Sequence, residues 1–177
     1  GDGLGCRDHV ATLPPASDRV AAVTSDPAPD QGTHPDAPAL LPDWVRTTRS
    51  ELDLRLGVEL VEVSAQRTVG RAPVQGNTQP MGLWHGGASC VLAESLASMA
   101  AHAHALTLDR AAVGVDLNAT HHRAVRSGWV HGTATALRLG RTLASYEVVL
   151  TDDEGRRVCT ARLTCALVPP PAQSSPR

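Results

Sequence analysis

Phenylalanine and lysine are both missing from this chain of 177 residues, and aromatic side chains make up only 2% of it. A core without Phe has to be filled by Val, Leu and Ala, so it must be assembled from many small contacts. With Lys absent, every basic side chain is Arg, which reflects a biased composition rather than a function. Cysteine is scarce: Cys6, Cys90, Cys159 and Cys165 form no C-x-x-C pair and no Cys/His spacing of a zinc site. Cys159 and Cys165 have the same parity in one β-like segment, so they share a face and do not bridge, and a reducing, cytoplasmic compartment is the simplest expectation. No apolar run is long enough to span a bilayer, and the N-terminal residues lack the basic-then-apolar order of a secretory signal. The formal net charge of -2 gives no reason to expect nucleic acid or an anionic membrane as partner, so any anion site must be local.

What is present is unevenly spread. Residues 1–45 are dominated by Pro, Asp and Ala, with no helical or alternating pattern, and are expected to be a disordered extension. Residues 169–177 read the same way, which leaves 46–168 as one folded domain. Within it, Leu54 to Val63 alternates as a strand would, and Thr68 to Val74 reads as its partner. Ala88 to Leu106 is dense in Ala, Leu and Met, with no Gly or Pro to break a helix. The rest is β-like: Ala112 to Asn118, Gly128 to Leu139, Thr142 to Thr151 and Arg156 to Val168, the last two joined by the hairpin signal Asp152-Asp153-Glu154-Gly155. Strands, one long helix and then consecutive antiparallel strands make an α+β arrangement.

The chemistry is concentrated in Gln79-Pro80-Met81-Gly82-Leu83-Trp84-His85-Gly86-Gly87-Ala88, running on to Glu94, Ser95 and Ser98. Gly86 and Gly87 stand where a loop turns into the helix, so their amides are among the donors a helix start leaves open. With no side chains in the way, a ligand oxygen can approach them closely, and the helix start favours negative charge. Such a place suits an oxyanion. Glu94 follows about two turns later among apolar residues, with Cys90 and Ser98 rather than a basic partner at the i±4 positions. From these residues alone it reads equally as the solvated edge of the helix or as a functional carboxylate. Cys90 on the helix face reads as a small core residue, and His102 and His104, two apart, as solvated surface.

The run H-G-G-A-x-x-x-L-A-E-S-x-x-S, with Q-P-x-G upstream, resembles the PaaI-like branch of the hotdog thioesterases. So does Val113 to Arg126, and so does Leu139-Gly140-Arg141 with the strands after it. The resemblance covers roughly residues 50–168 and is nearest to the 1,4-dihydroxy-2-naphthoyl-CoA hydrolase branch. It implies a hotdog fold, an antiparallel sheet wrapped around one long central helix. It implies hydrolysis of an acyl-CoA, expected to be an aromatic one of menaquinone biosynthesis, without a cofactor. Phenylacetate-pathway or broad-specificity thioesterases are the enzymatic alternatives, and a non-catalytic acyl-CoA-binding hotdog protein is the alternative of another class.

By the same resemblance Glu94 acts as nucleophile or general base. Gly86 supplies the oxyanion donor, Gln79 polarises the carbonyl or orients the nucleophile, His85 lies near the leaving sulfur, and Ser98 positions water or the carboxylate. CoA is expected along Gly114, His121, His122, Arg123 and Ala124, and along Arg138, Leu139, Gly140, Arg141, Thr142 and Leu143. Arg123 and Arg141 would meet phosphate as bidentate donors. His121 and His122 as a metal pair are disfavoured, since adjacent strand residues point to opposite faces. Relatives of this kind form homodimers with shared active sites, paired again into homotetramers, and Ala and Ser on the helix would let two helices approach closely.

Overall fold

The computed structural model describes residues 41–48 and 50–170. The rest of the expected N-terminal extension, the tail from residue 171 and Cys6 lie outside the described residues. The expected boundary between residues 45 and 46 falls inside a short helix, α1 (Asp43–Thr47), whose Val45 is buried.

The stretch expected as one strand from Leu54 to Val63 divides in two. Its first part belongs to a helix, α2 (Glu51–Leu56), and only the second part forms a strand, β1 (Glu59–Val63). Local capping outweighs the apolar alternation here. The Ser50 hydroxyl accepts the Leu52 and Asp53 amides at 3.1 and 3.3 Å, and Gly57, at φ 69°, closes the helix in the left-handed conformation glycine adopts without cost.

After β2 (Arg67–Pro73) and a turn-rich segment comes α3 (Gly86–Leu106), followed by β3 (Ala111–His121), β4 (Trp129–Leu139), β5 (Leu143–Thr151) and β6 (Arg157–Val168). All strand pairs are antiparallel, in the order β1-β2-β4-β5-β6-β3. Chain-sequential β2 and β3 are therefore far apart in the sheet, and α3 carries the chain across its face from one to the other. α3 packs against all six strands, which is the expected arrangement of a sheet around a central helix.

The core lies between α3 and the sheet and is built without Phe. Leu92 and Leu96 meet Val130, Val148, Leu150 and Leu163, all essentially inaccessible. Gly70 and Gly132 let the helix come close: a Cβ at either would stand 2.7 or 2.5 Å from a Leu96 methyl. Ala93, Ala97, Ala100, Ala101 and Ala105 are buried against this chain's own sheet, so the helix alanines serve internal packing rather than contact with another helix. Tyr146, the single tyrosine, is fully buried. Burial, and secondarily the nearby Cys165, push its phenol up, so it keeps the proton that it donates to the Ala65 carbonyl. Cys159 and Cys165 are buried free thiols on one face of β6, as their parity requires. Neither histidine near the end of α3 is plain surface. His102 meets Trp44 edge-on at 4.9 Å, and His104 Nε2 lies 2.8 Å from the Gly140 carbonyl oxygen.

Candidate active site

His85 is the N-cap of α3, in extended backbone conformation. A helix start leaves four amides open. Here His85 N–H donates to the Asn77 carbonyl, Gly87 N–H to His85 Nδ1 at 2.8 Å, and Ala88 N–H to the His85 carbonyl. The Gly86 amide alone has no acceptor among the described residues. Because Nδ1 accepts, the proton of a neutral His85 ring is assigned to Nε2, where it can be donated outward.

Gln79 is held over this start by a tight turn. Its N–H donates to the Leu83 carbonyl and its carbonyl accepts from Gly82. Its side-chain Oε1 accepts the Met81 amide at 2.8 Å, which leaves the carboxamide NH₂ to donate elsewhere. Trp84 is buried behind the turn and donates from Nε1 to the Ser89 hydroxyl at 2.7 Å.

Opposite stands the end of β3 and the loop after it. His122 N–H and Arg123 N–H donate to the Val158 carbonyl, Trp84 N–H to the Val125 carbonyl, and the His122 ring meets the Thr160 hydroxyl at 2.9 Å. The result is a cavity of about 390 Å³ that gathers Gln79, Gly86, His121, His122, Arg123 and Ala124. A side chain at Gly86 would approach His121 Nε2 to 3.0 Å, so glycine is what keeps the open amide accessible. Both histidines line this cavity because β3 ends at His121, where the alternation that would send them to opposite faces stops. Among the described residues no group of three or more His, Cys, Asp or Glu gathers around a possible metal position.

Glu94 lines a different cavity, of about 440 Å³, on a face of α3 that meets Gly114 and Leu117 of β3. That face is a half-buried stripe of Cys90, Val91, Glu94, Ser95, Ser98 and Met99, so Cys90 is not a core residue. The Ser98 hydroxyl donates to Glu94 Oε1 at 3.2 Å. Beneath the carboxylate lie Gly114 of β3, where an added Cβ would stand 2.5 Å from Glu94 Oε1, and Cys165 of β6. Burial, and then the Glu94 charge, push the Cys165 thiol up to about 11 against the opposing hydrogen bond with Ser98, so it is protonated and unreactive at neutral pH. Gly114 thus packs under the carboxylate rather than beside His121 and Arg123.

The remaining expected positions, Arg138 to Leu143, span the end of β4, the turn after it and the first residue of β5, and line neither cavity. The Gly140 N–H donates to the Leu143 carbonyl, and the Gly140 carbonyl faces His104. Arg138 and Arg141 are exposed and, like Arg123, take part in no ion pair among the described residues.

Thr48, Ser50, Leu52 and Asp53 also border the Glu94 cavity and were not expected there. Asp53 accepts the Ser95 hydroxyl at 2.5 Å. The Ser-x-x-Asp spacing is a helix-start signal that the sequence does carry, but nothing local says which surface that helix covers.

Gly86 and Glu94 are eight residues apart on one helix, about 12 Å along its axis. Within one chain the open amide and the carboxylate therefore do not converge on one atom.

A family model described as the thioesterase superfamily matches residues 81–159. The chain is similar to a proofreading thioesterase, EntH, of Klebsiella pneumoniae, 46% identical over 115 residues that cover 64% of this chain and 82% of that one. Among solved structures it is similar to a mutant thioesterase of Pseudomonas aeruginosa (TM-score 0.67, 38% identity, 71% of this chain and 91% of that one). It is also similar to a thioesterase of Haemophilus influenzae (TM-score 0.66, 31% identity, 73% and 91%).

Proposed function

The chain belongs to the thioesterase superfamily and is a thioester hydrolase, and on that premise we propose that it cleaves an acyl-CoA at sites shared between two copies. The observation that carries the reading is the open amide of the α3 start, Gly86, in a cavity with Gln79 and His121, while Glu94 stands on another face of the same helix. Two copies with their α3 helices side by side complete what one copy separates. Glu94 of one then faces Gln79, His85 and Gly86 of the other.

Support for such pairing comes from β3. It is an edge strand with Val113 and Val115 52% and 58% exposed, and an open apolar edge invites another strand. Since β3 passes directly under Glu94 at Gly114, edge-to-edge pairing brings the second copy to the carboxylate. Two such dimers form the tetramer.

The thioester oxygen accepts from Gly86 N–H, with the Gln79 carboxamide as a further donor, so that charge developing on it meets fixed dipoles. Glu94, steadied by Ser98, then has two routes. As nucleophile its oxygen bonds the carbonyl carbon, the C–S bond breaks, and water hydrolyses the resulting anhydride. As base it takes a proton from water, whose oxygen attacks the same carbon before the thiolate leaves. In both routes His85 Nε2–H is suited to the departing sulfur. The CoA arm follows His121, His122, Arg123 and Ala124, with the Arg138–Leu143 turn toward the nucleotide.

The acyl group is proposed to be aromatic, and 1,4-dihydroxy-2-naphthoyl-CoA is the first substrate to test. The relative named as a proofreading thioesterase favours a second reading, in which unwanted thioesters are cleared. Thiol release is to be followed over aryl- and alkyl-CoA esters for wild type and Glu94→Ala. The variant is expected to lose at least about 100-fold in kcat. Unchanged turnover would sink the mechanism, and tight acyl-CoA binding without turnover by the wild type would make the chain a binding protein instead.

A further inference from the structure

The Glu94 cavity carries a second carboxylate for which hydrolysis gives no role. Asp53 occupies the third position of α2 behind its N-cap Ser50, where an acidic side chain ordinarily folds back to the cap's own amide. Here it turns outward instead. Its Oδ1 accepts the hydroxyl of Ser95, the residue next to Glu94, and its Oδ2 has no partner among the described residues. The lining near it is mixed, with Leu52, Val91, Met99 and Leu117 as apolar walls, while Asp53 and Glu94 are the only charged groups among the described residues. Among the described residues no cation lines the cavity. A carboxylate with one oxygen engaged and one open, beside apolar walls, accepts a hydrogen bond from a neutral donor and repels another carboxylate.

We propose that Asp53 is a specificity-determining residue: it selects acyl groups carrying a hydroxyl remote from the thioester and refuses those that end in a carboxylate. The inference rests on the thioesterase reading above and adds to it the chemistry of the acyl group. Ser95 has a positioning role, because it gives its only proton to Asp53 Oδ1 and so holds that carboxylate at the cavity wall.

The test uses matched esters that share CoA and differ only at the far end. Pentanoyl-CoA is paired with glutaryl-CoA, and benzoyl-CoA with its monohydroxybenzoyl counterparts. Each pair is assayed with wild type, Asp53→Asn and Asp53→Leu, and thermal melting identifies any variant that fails to fold. Asp53→Asn removes the charge while keeping an acceptor for Ser95. It is expected to raise the glutaryl-to-pentanoyl ratio of kcat/KM by about tenfold or more, and Asp53→Leu to lower the hydroxybenzoyl-to-benzoyl ratio by a similar factor.

A purely structural tether between α2 and α3 would slow all esters alike. Ratios unchanged in both folded variants, with turnover intact in the wild type, overturn this inference and leave the thioesterase reading standing. Absence of turnover of every ester by the wild type overturns both.

Discussion

His85 settles two matters with one ring. By taking the Gly87 amide on Nδ1 it leaves the Gly86 amide as the one open donor of the helix start, and by the same bond it turns a proton outward on Nε2. Gly114 makes the complementary point at the other end of the site. An added methyl there would meet the Glu94 carboxylate, the free end of a flexible side chain, so the fold can yield but the carboxylate has to move. Gly114→Ala is therefore expected to melt near the wild-type temperature while kcat falls by about tenfold to 100-fold, as small misplacements of a reacting group do. A variant with full kcat would show that the position of Glu94 is not set by β3. Residues such as these were legible in type: H-G-G and the lone Glu stand out in the chain. Which amide stays open, and what lies under the carboxylate, depend on contacts with Asn77 and β3 that no local pattern records.

At the level of elements, α3 was readable almost to its ends because twenty-one residues of Ala-rich helix leave little ambiguity. Its faces were not. The alanines go to its own sheet, where glycines on the strand side make room for Leu96, and Gly132→Ala tests that arrangement. The new methyl would stand 2.5 Å from a Leu96 methyl and 2.8 Å from one of Leu150, both fully buried and unable to move away. A loss of about 1–3 kcal/mol in urea unfolding is expected.

The β5–β6 hairpin gives a second, pH-dependent prediction. Burial alone would raise the Asp152 carboxyl, but hydrogen bonds from the Arg156 amide and guanidinium, that cation's charge, and the Glu154 amide together hold it below its usual value. A carboxyl depressed in the folded state stabilises fully above its unfolded value, about 3.9, and that contribution is lost as pH falls through the lower folded one. Melting of the wild type below about pH 4 should thus converge on that of Asp152→Asn, with the gap between them widest near neutrality. A gap independent of pH would assign the effect to shape rather than charge.

The whole molecule is where the site is incomplete, and the proposed dimer makes a quantitative claim. If each site takes Glu94 from one copy and Gln79 and Gly86 from the other, Glu94→Ala and Gln79→Ala damage opposite halves. Mixed after subunit exchange, two nearly inactive variants should recover about a quarter of wild-type activity, since half the dimers are mixed and each has one intact site. No recovery after confirmed exchange would place all catalytic groups in one chain.

The later strands along the chain, helix extent, the hairpin turn and the family motif could be read from residues alone, because each rests on local periodicity or on spacing within a few turns. The split of Leu54 to Val63 into helix and strand was also locally encoded, by Ser50 and Gly57, but the apolar alternation masked it. Folding supplied the rest: the separation of Glu94 from Gly86 into two cavities, the packing of Gly114 under the carboxylate, and the turn of Asp53 toward Ser95. Each joins residues from elements far apart in the chain, and such meetings are settled by how α2, α3 and β3 pack, which no spacing within any one of them specifies.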